Sequence, residues 1–207
     1  MKNQKKWMLL IATLLAILLW LAFFWEPQAT LDKGMGAALS SSPAADTTAK
    51  TSFTLNSPAG PVSLSDYRGK VVLIYFGYTF CPDVCPTSLA ALAQALSALT
   101  PKELEQVQGV FISVDPERDS MEVLKIYVPY FHPSLLGLSG STEQVAQVAR
   151  QYGARYMKQK PNADGLYSVD HSSFTYVVAP DGKLAARLPH GTSPQQIVDK
   201  IRPLLKP

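Results

Sequence analysis

The chain has 207 residues, 47% of them hydrophobic and 17% charged, a formal net charge of +3 and two cysteines. This suits one globular domain plus an apolar segment. No Lys/Arg run marks a nucleic-acid-binding face, and two cysteines are too few for a disulfide-stapled mini-fold.

Lys2, Lys5 and Lys6 precede the run WMLLIATLLAILLWLAFFW, Trp7 to Trp25, which holds no charge and no proline. About 19 residues at 1.5 Å each reach roughly 29 Å, close to a hydrocarbon core of about 30 Å. Trp7, Trp20 and Trp25 favour the ends, as an aromatic belt does. A signal peptide has a shorter apolar region and a small-residue cleavage site, and FFWEPQAT is a poor one. Residues 7–25 are therefore expected to be an uncleaved single-pass transmembrane anchor. The lysines place residues 1–6 in the cytoplasm and the rest outside. With no Arg-rich amphipathic leader ahead of the span, a bacterial inner membrane with a periplasmic domain is expected. Residues 26–50, with GMGAALSSSPAADTTAK, read as a flexible linker.

The exported domain, 51–207, begins with two short strands around the Pro/Gly turn of TSFTLNSPAGPVSLSDYRGK. VVLIYFG, from Val71, is a continuous β-rich run that predicts a central strand buried on both faces. Leu89, Leu92, Leu96 and Leu99 mark one face of the helix after it. Thr100-Pro101-Lys102-Glu103 is a capping box that opens a short helix. GVFISVD predicts a buried strand at about Val110 to Val114. Asp119 with Glu122 predicts a capped helix through about Tyr130, with Pro129 at its end. SLLGLSG is a short strand, and Ser141 with Gln144 opens a helix to about Tyr152. SFTYVVAPDGKLAARLPH predicts a hairpin around Asp181-Gly182. Ser193-Pro194-Gln195-Gln196 opens the last helix, with Ile197, Ile201 and Leu204 or Leu205 facing the core. Strands alternate with helices and a hairpin comes late, which predicts an α/β fold with a mixed central sheet, thioredoxin-like in arrangement.

Both cysteines lie in CPDVC, Cys81 and Cys85, each followed by proline. A residue before proline is driven away from helical geometry, so this stretch predicts an irregular turn with regular helix from near Pro86. Cys85 at the helix N-terminus would have a lowered thiol pKa. Helical residues four apart have Cβ atoms about 5–6 Å apart, whereas a disulfide needs about 3.8 Å. A metal at about 2.3 Å from each sulfur tolerates roughly 4.6 Å between them. A metal is the easier fit, and a disulfide or redox dithiol stays open. No arginine adjoins the pair in sequence to support a peroxidase.

Two thiolates need a further ligand for most metals. His132 (YFHPS) and His190 (LPHGT) sit beside Pro or Gly at element ends and read as exposed loop residues. His171, in YSVDHSSFTYVV, reads either as a satisfied loop histidine or as a ligand, since a residue leading into a core strand can lie beside the loop that follows another strand. Asp170 and Ser172 are candidate supports for its ring. Two soft thiolates and an imidazole suit Cu(I) or Cu(II); a structural zinc would want a fourth ligand.

The segments GYTFCPDVCP (Gly77–Pro86), ISVDPERDS (Ile112–Ser120) and VDHSSFTYVVAPDG (Val169–Gly182), with the entry strand and the anchor, resemble the Sco/SenC family of copper-binding, thioredoxin-fold assembly factors for cytochrome c oxidase. The resemblance runs from about Thr51 to the C-terminus. It implies copper held by Cys81, Cys85 and His171. Phe80 departs from many relatives, which carry a polar residue or histidine there, and removes no ligand. Asp115 and Asp119 belong to the family pattern; they read as turn and helix-start residues, with partner docking as the alternative. Asp83, between the cysteines, is either simply solvated or tunes the site or presents charge to a partner. The function implied is a copper metallochaperone, a carrier more than an enzyme. It would deliver to the CuA site of an oxidase subunit, loaded by a copper donor and kept reduced by a thiol reductant. The alternative is a thiol–disulfide oxidoreductase acting on the oxidase cysteines, with a Cys81–Cys85 disulfide when oxidised. An anchored binding domain with a structural disulfide is the third reading.

Overall fold

The structure is a computed structural model that describes residues 15–20 and 51–206. Residues 15–20, inside the expected anchor, are helical. The remainder of the anchor, the 1–6 segment and the 26–50 linker lie outside the described residues. Among the described residues no helix is long and apolar enough to cross a membrane.

The sheet is built on β3 (Val71–Gly77), which is buried at every position. Successive β-branched and aromatic side chains suit a strand covered on both faces. β4 (Val107–Ser113) pairs with it in parallel, and β5 (Leu135–Leu138) pairs in parallel with β4. On the other side β8 (Phe174–Val178) and β9 (Leu184–Pro189) run antiparallel. The order β5-β4-β3-β8-β9 is the mixed central sheet expected. β1 (Thr54–Ser57) and β2 (Gly60–Ser63) form a hairpin, tied to the residue after β5 by Asn56–Ser139 backbone hydrogen bonds of 2.8 and 2.9 Å. Gly182 turns the β8–β9 hairpin at φ +82°, a conformation glycine adopts without a Cβ penalty.

Parallel neighbours need crossovers. α1 (Val84–Ser97) and α2 (Pro101–Leu104) connect β3 to β4, and α3 (Met121–Phe131) connects β4 to β5. Leu89, Leu92 and Leu96 of α1 are fully buried, each such side chain stabilising by roughly 1.5–3 kcal/mol. α4 (Thr142–Tyr152) follows β5, and α5 (Pro194–Ile201) closes the domain. The capping boxes expected at Thr100, Ser141 and Ser193 all form.

Four details differ from the sequence-based expectation. β4 starts at Val107, earlier than expected, because Val107 and Gly109 are buried beside β3 and β5. Asp119 does not cap α3; Ser120 does, accepting the Val123 N–H at 3.3 Å. Pro129 lies inside α3. Its ring costs the helix one hydrogen bond, yet buried Leu124 and Val128 hold the last turn against the core. Finally, β6 (Tyr156–Lys158) and β7 (Val169–His171) pair antiparallel in a segment where no element was predicted. Strands of three residues are too short to show an alternating pattern.

Candidate metal centre

The centre forms at the carboxyl end of β3, where open α/β sheets place their chemistry. After Gly77 the chain turns, with the Cys81 N–H donating to the Tyr78 carbonyl at 3.2 Å. α1 then begins at Val84, two residues before the start expected at Pro86, so Cys85 lies within its first turn. Cys85 is fully buried and Cys81 is 9% exposed; both are free thiols. Gly77 makes room for them. A Cβ there would lie 2.7 Å from Cys85 Sγ and 2.9 Å from the Phe111 ring.

His171 arrives on β7, paired with Tyr156 of β6. Its Nε2 lies 3.2 Å from Cys85 Sγ, across 86 residues of chain. Its Nδ1 lies 3.2 Å from the Ser172 carbonyl oxygen. A carbonyl can only accept, so Nδ1 carries the hydrogen and Nε2 presents its lone pair to the Cys85 thiol. The rings of Tyr75 and Tyr78 stand edge-on to the imidazole, with centroids at 6.1 and 5.9 Å. Cys81, Cys85 and His171 thus bring one ligand atom each to within 4.8 Å of one another.

This geometry fits a metal. Bonds of 2.3 Å to sulfur and 2.0–2.1 Å to nitrogen span a 3.2 Å S···N separation at an angle of about 95°. The donor set is soft sulfur plus imidazole, which suits copper. Burial lowers the His171 pKa, favouring the neutral, ligating imidazole. The lowered thiol pKa expected for Cys85 is overturned. Burial pushes it up, a Tyr78 backbone N–H pulls it partly back, and neighbouring Cys81 raises it. Desolvation outweighs the helix N-terminus because no water reaches the sulfur. Cys85 therefore rests as a thiol, and a metal must displace its proton.

His132 and His190 stay away from the centre. The first accepts the Ser134 N–H and the second pairs with Ser88. Asp83 is an exposed residue before α1 without a side-chain cap bond. Asp170 is exposed and accepts from Gln159 Nε2 at 2.6 Å; it acts on the imidazole through its charge, while the ring's hydrogen bond is to the Ser172 backbone. Asp115 and Asp119 are both buried, and Asp115 opens the expected turn, its carbonyl accepting the Arg118 and Asp119 N–H groups at 3.2 and 3.0 Å. Asp115 pairs with Arg118 and accepts the Tyr167 hydroxyl at 2.9 Å. Asp119 binds Thr79 and Ser113. Arg118, remote from the cysteines in sequence, lies over Tyr167 at 3.6 Å and Phe80 at 4.9 Å. Sequence reasoning missed Gly77, Tyr75, Tyr78, Thr79 and Arg118 as parts of this region. Their types carry no metal-ligand signal, although Gly77 could have been suspected as a glycine ending a buried strand.

The family model described as SCO1/SenC matches residues 41–206. The chain belongs to that family. It is 45% identical over 139 residues to the bovine mitochondrial protein SCO2 homolog, a match covering 67% of this chain and 52% of the bovine one. The chain thus spans about half the length of this relative. The structure of Bradyrhizobium japonicum ScoI with copper bound is 37% identical, covers 75% of this chain and 99% of that chain, and superposes with a TM-score of 0.69. A structure of BsSco is 27% identical, covers 74% and 91% of the two chains, and has a TM-score of 0.60. BsSco is described as a member of the Sco family of cytochrome c oxidase assembly proteins, with a disulfide switch. The α/β fold with its mixed sheet matches these thioredoxin-like Sco structures.

Proposed function

We propose that this Sco/SenC protein is a membrane-anchored copper metallochaperone. It carries copper on Cys81, Cys85 and His171 and delivers it to the CuA site of a cytochrome c oxidase subunit. The observation that carries the reading is the convergence of those three ligand atoms within 4.8 Å. Residues 7–25 hold the domain to a bacterial inner membrane with its N-terminus inside, and residues 26–50 let it reach partners in the same membrane. The residues do three things. The Cys85 and Cys81 thiols release their protons to accept the metal, His171 adds its Nε2 lone pair, and the Ser172 carbonyl holds the ring in the ligating tautomer. Three protein ligands leave a copper position open to an incoming ligand, so that metal moves on by stepwise exchange. A copper donor loads the site and a thiol reductant keeps it reduced.

The test is copper stoichiometry and spectroscopy on the reduced full chain, wild type beside His171→Ala. The expected result is one copper per chain, with Cu(II) binding sharply weakened in the variant. Unchanged affinity and spectra in His171→Ala sink the reading.

A second reading is supported by the two free sulfurs lying close together: a thiol–disulfide oxidoreductase that reduces the oxidase cysteines. It needs Cys81 and Cys85 but not His171. Oxidase assembly restored in cells by His171→Ala as well as by wild type would favour it.

A further inference from the structure

Asp119 is 1% exposed, and none of the ion pairs among the described residues includes it. Burying a carboxylate without a cation is costly. Neither helix capping nor metal ligation accounts for it, since Ser120 caps α3 and Asp119 lies outside the ligand cluster. Its hydrogen bonds show what it holds. Oδ2 accepts the Thr79 N–H at 3.0 Å and the Ser113 hydroxyl at 2.6 Å, and Oδ1 accepts the Thr79 hydroxyl at 2.6 Å. Ser113 ends β4 and is the register partner of Gly77, the last residue of β3. The Val114 N–H donates to the Gly77 carbonyl at 2.8 Å. One carboxylate therefore ties the turn after β3 to the rigid end of β4, and Cys81 sits two residues beyond the tied Thr79.

We infer that Asp119 is a positioning residue for the metal centre: through Thr79 it holds the Tyr78–Cys81 turn so that Cys81 stays within ligating range of Cys85 and His171 without closing on Cys85 as a disulfide. The inference rests on the copper-carrier reading. A disulfide requires the sulfurs at about 2.05 Å, whereas Cys81 and Cys85 are both free thiols here. Closure must move the turn against the two hydrogen bonds that join Thr79 to the Asp119 side chain, which the Ser113 hydroxyl anchors to β4. The exchange it restrains is balanced: the two thiols give two electrons and two protons to a small-molecule disulfide, which becomes two thiols as the Cys81–Cys85 bond forms.

The experiment uses the full chain in detergent and two readings, copper affinity and the dithiol–disulfide equilibrium against a small-thiol redox buffer, both taken well below the melting temperature. Asp119→Ala is expected to lose about tenfold in copper affinity. It should also shift the equilibrium about tenfold towards disulfide, about 30 mV in potential. Thr79→Val keeps the backbone bond and loses the hydroxyl bond, so it falls between Asp119→Ala and wild type. Asp119→Asn restores both readings to near wild type, because its oxygen accepts from the Thr79 N–H and Ser113 while its amide donates to the Thr79 hydroxyl. Val128→Ala, a core truncation in α3, lowers the melting temperature and moves neither reading. Wild-type readings in Asp119→Ala overturn the inference. So does an Asp119→Asn that behaves like Asp119→Ala, or a Val128→Ala that shifts both readings as far. Should Asp119→Ala not fold, Thr79→Val at wild-type values overturns it instead. Cys85→Ser separates the two ideas. If it binds copper like wild type, the carrier reading falls; if it loses copper while the Asp119 variants do not, the clamp alone falls.

Discussion

The two cysteines and the histidine come from regions of different character. Cys85 lies in the first turn of α1, against a strand buried at every position, and its sulfur fills the space left by Gly77. His171 ends a three-residue strand whose partner, β6, is half-buried at Tyr156 and exposed at Met157 and Lys158. One part of the centre is thus fixed by the core, and the other is carried by a peripheral hairpin. A carrier that must release its metal gains from this division. In the proposed carrier the thiols would retain the metal while the imidazole would open a coordination position at low cost, since local opening is cheapest where few apolar contacts are buried.

The largest expected effect breaks the rigid part. Cys85→Ser should lower Cu(I) affinity by more than about 100-fold, beyond the 10–100-fold typical of residues that merely support a metal ligand. His171→Ala should leave most Cu(I) binding to the two soft thiolates. Competition with a Cu(I) chelator checks both, and equal losses in the two variants would erase the distinction. Gly77→Ala comes next. Overpacking against Cys85 Sγ and Phe111 should cost about 1–3 kcal/mol, a fall of roughly 2–10 °C in melting temperature for a domain of this size, with weaker metal binding. A calorimetric scan and a metal titration measure these. The smallest perturbation is hydrogen exchange on the unaltered protein. Amides of β6 and β7 should exchange at least about 100-fold faster than those of β3 and β4, and equal protection would show that the hairpin is as firmly held as the sheet.

Much of this was legible in the chain. The apolar run from Val71, the capping boxes at Thr100, Ser141 and Ser193 and the Asp181-Gly182 hairpin depend on neighbouring residues, and each formed as expected. The failures share a cause. Asp119 looked like a helix cap because Glu122 follows it at capping-box spacing, yet its carboxylate turns inward to Thr79, 40 residues away. Pro129 looked like a helix end, yet Leu124 and Val128 find a core that carries α3 past it. The thiol of Cys85 was judged by its helix N-terminus, and burial reversed the direction of its pKa shift.

Residue types and short-range spacing settled the donor atoms in advance. Two thiols in CPDVC and an imidazole in VDHSS are soft and borderline ligands wherever the fold puts them, and the order of strands and helices follows from patterns a few residues long. Folding alone determined that the imidazole meets Cys85 at 3.2 Å, that it does so through Nε2, that the Cys85 sulfur is dry and that a buried aspartate ties the turn after β3 to β4. Distance, tautomer and desolvation are properties of neighbours brought together from across the chain, and these contacts exist once β7 docks beside the turn that follows β3.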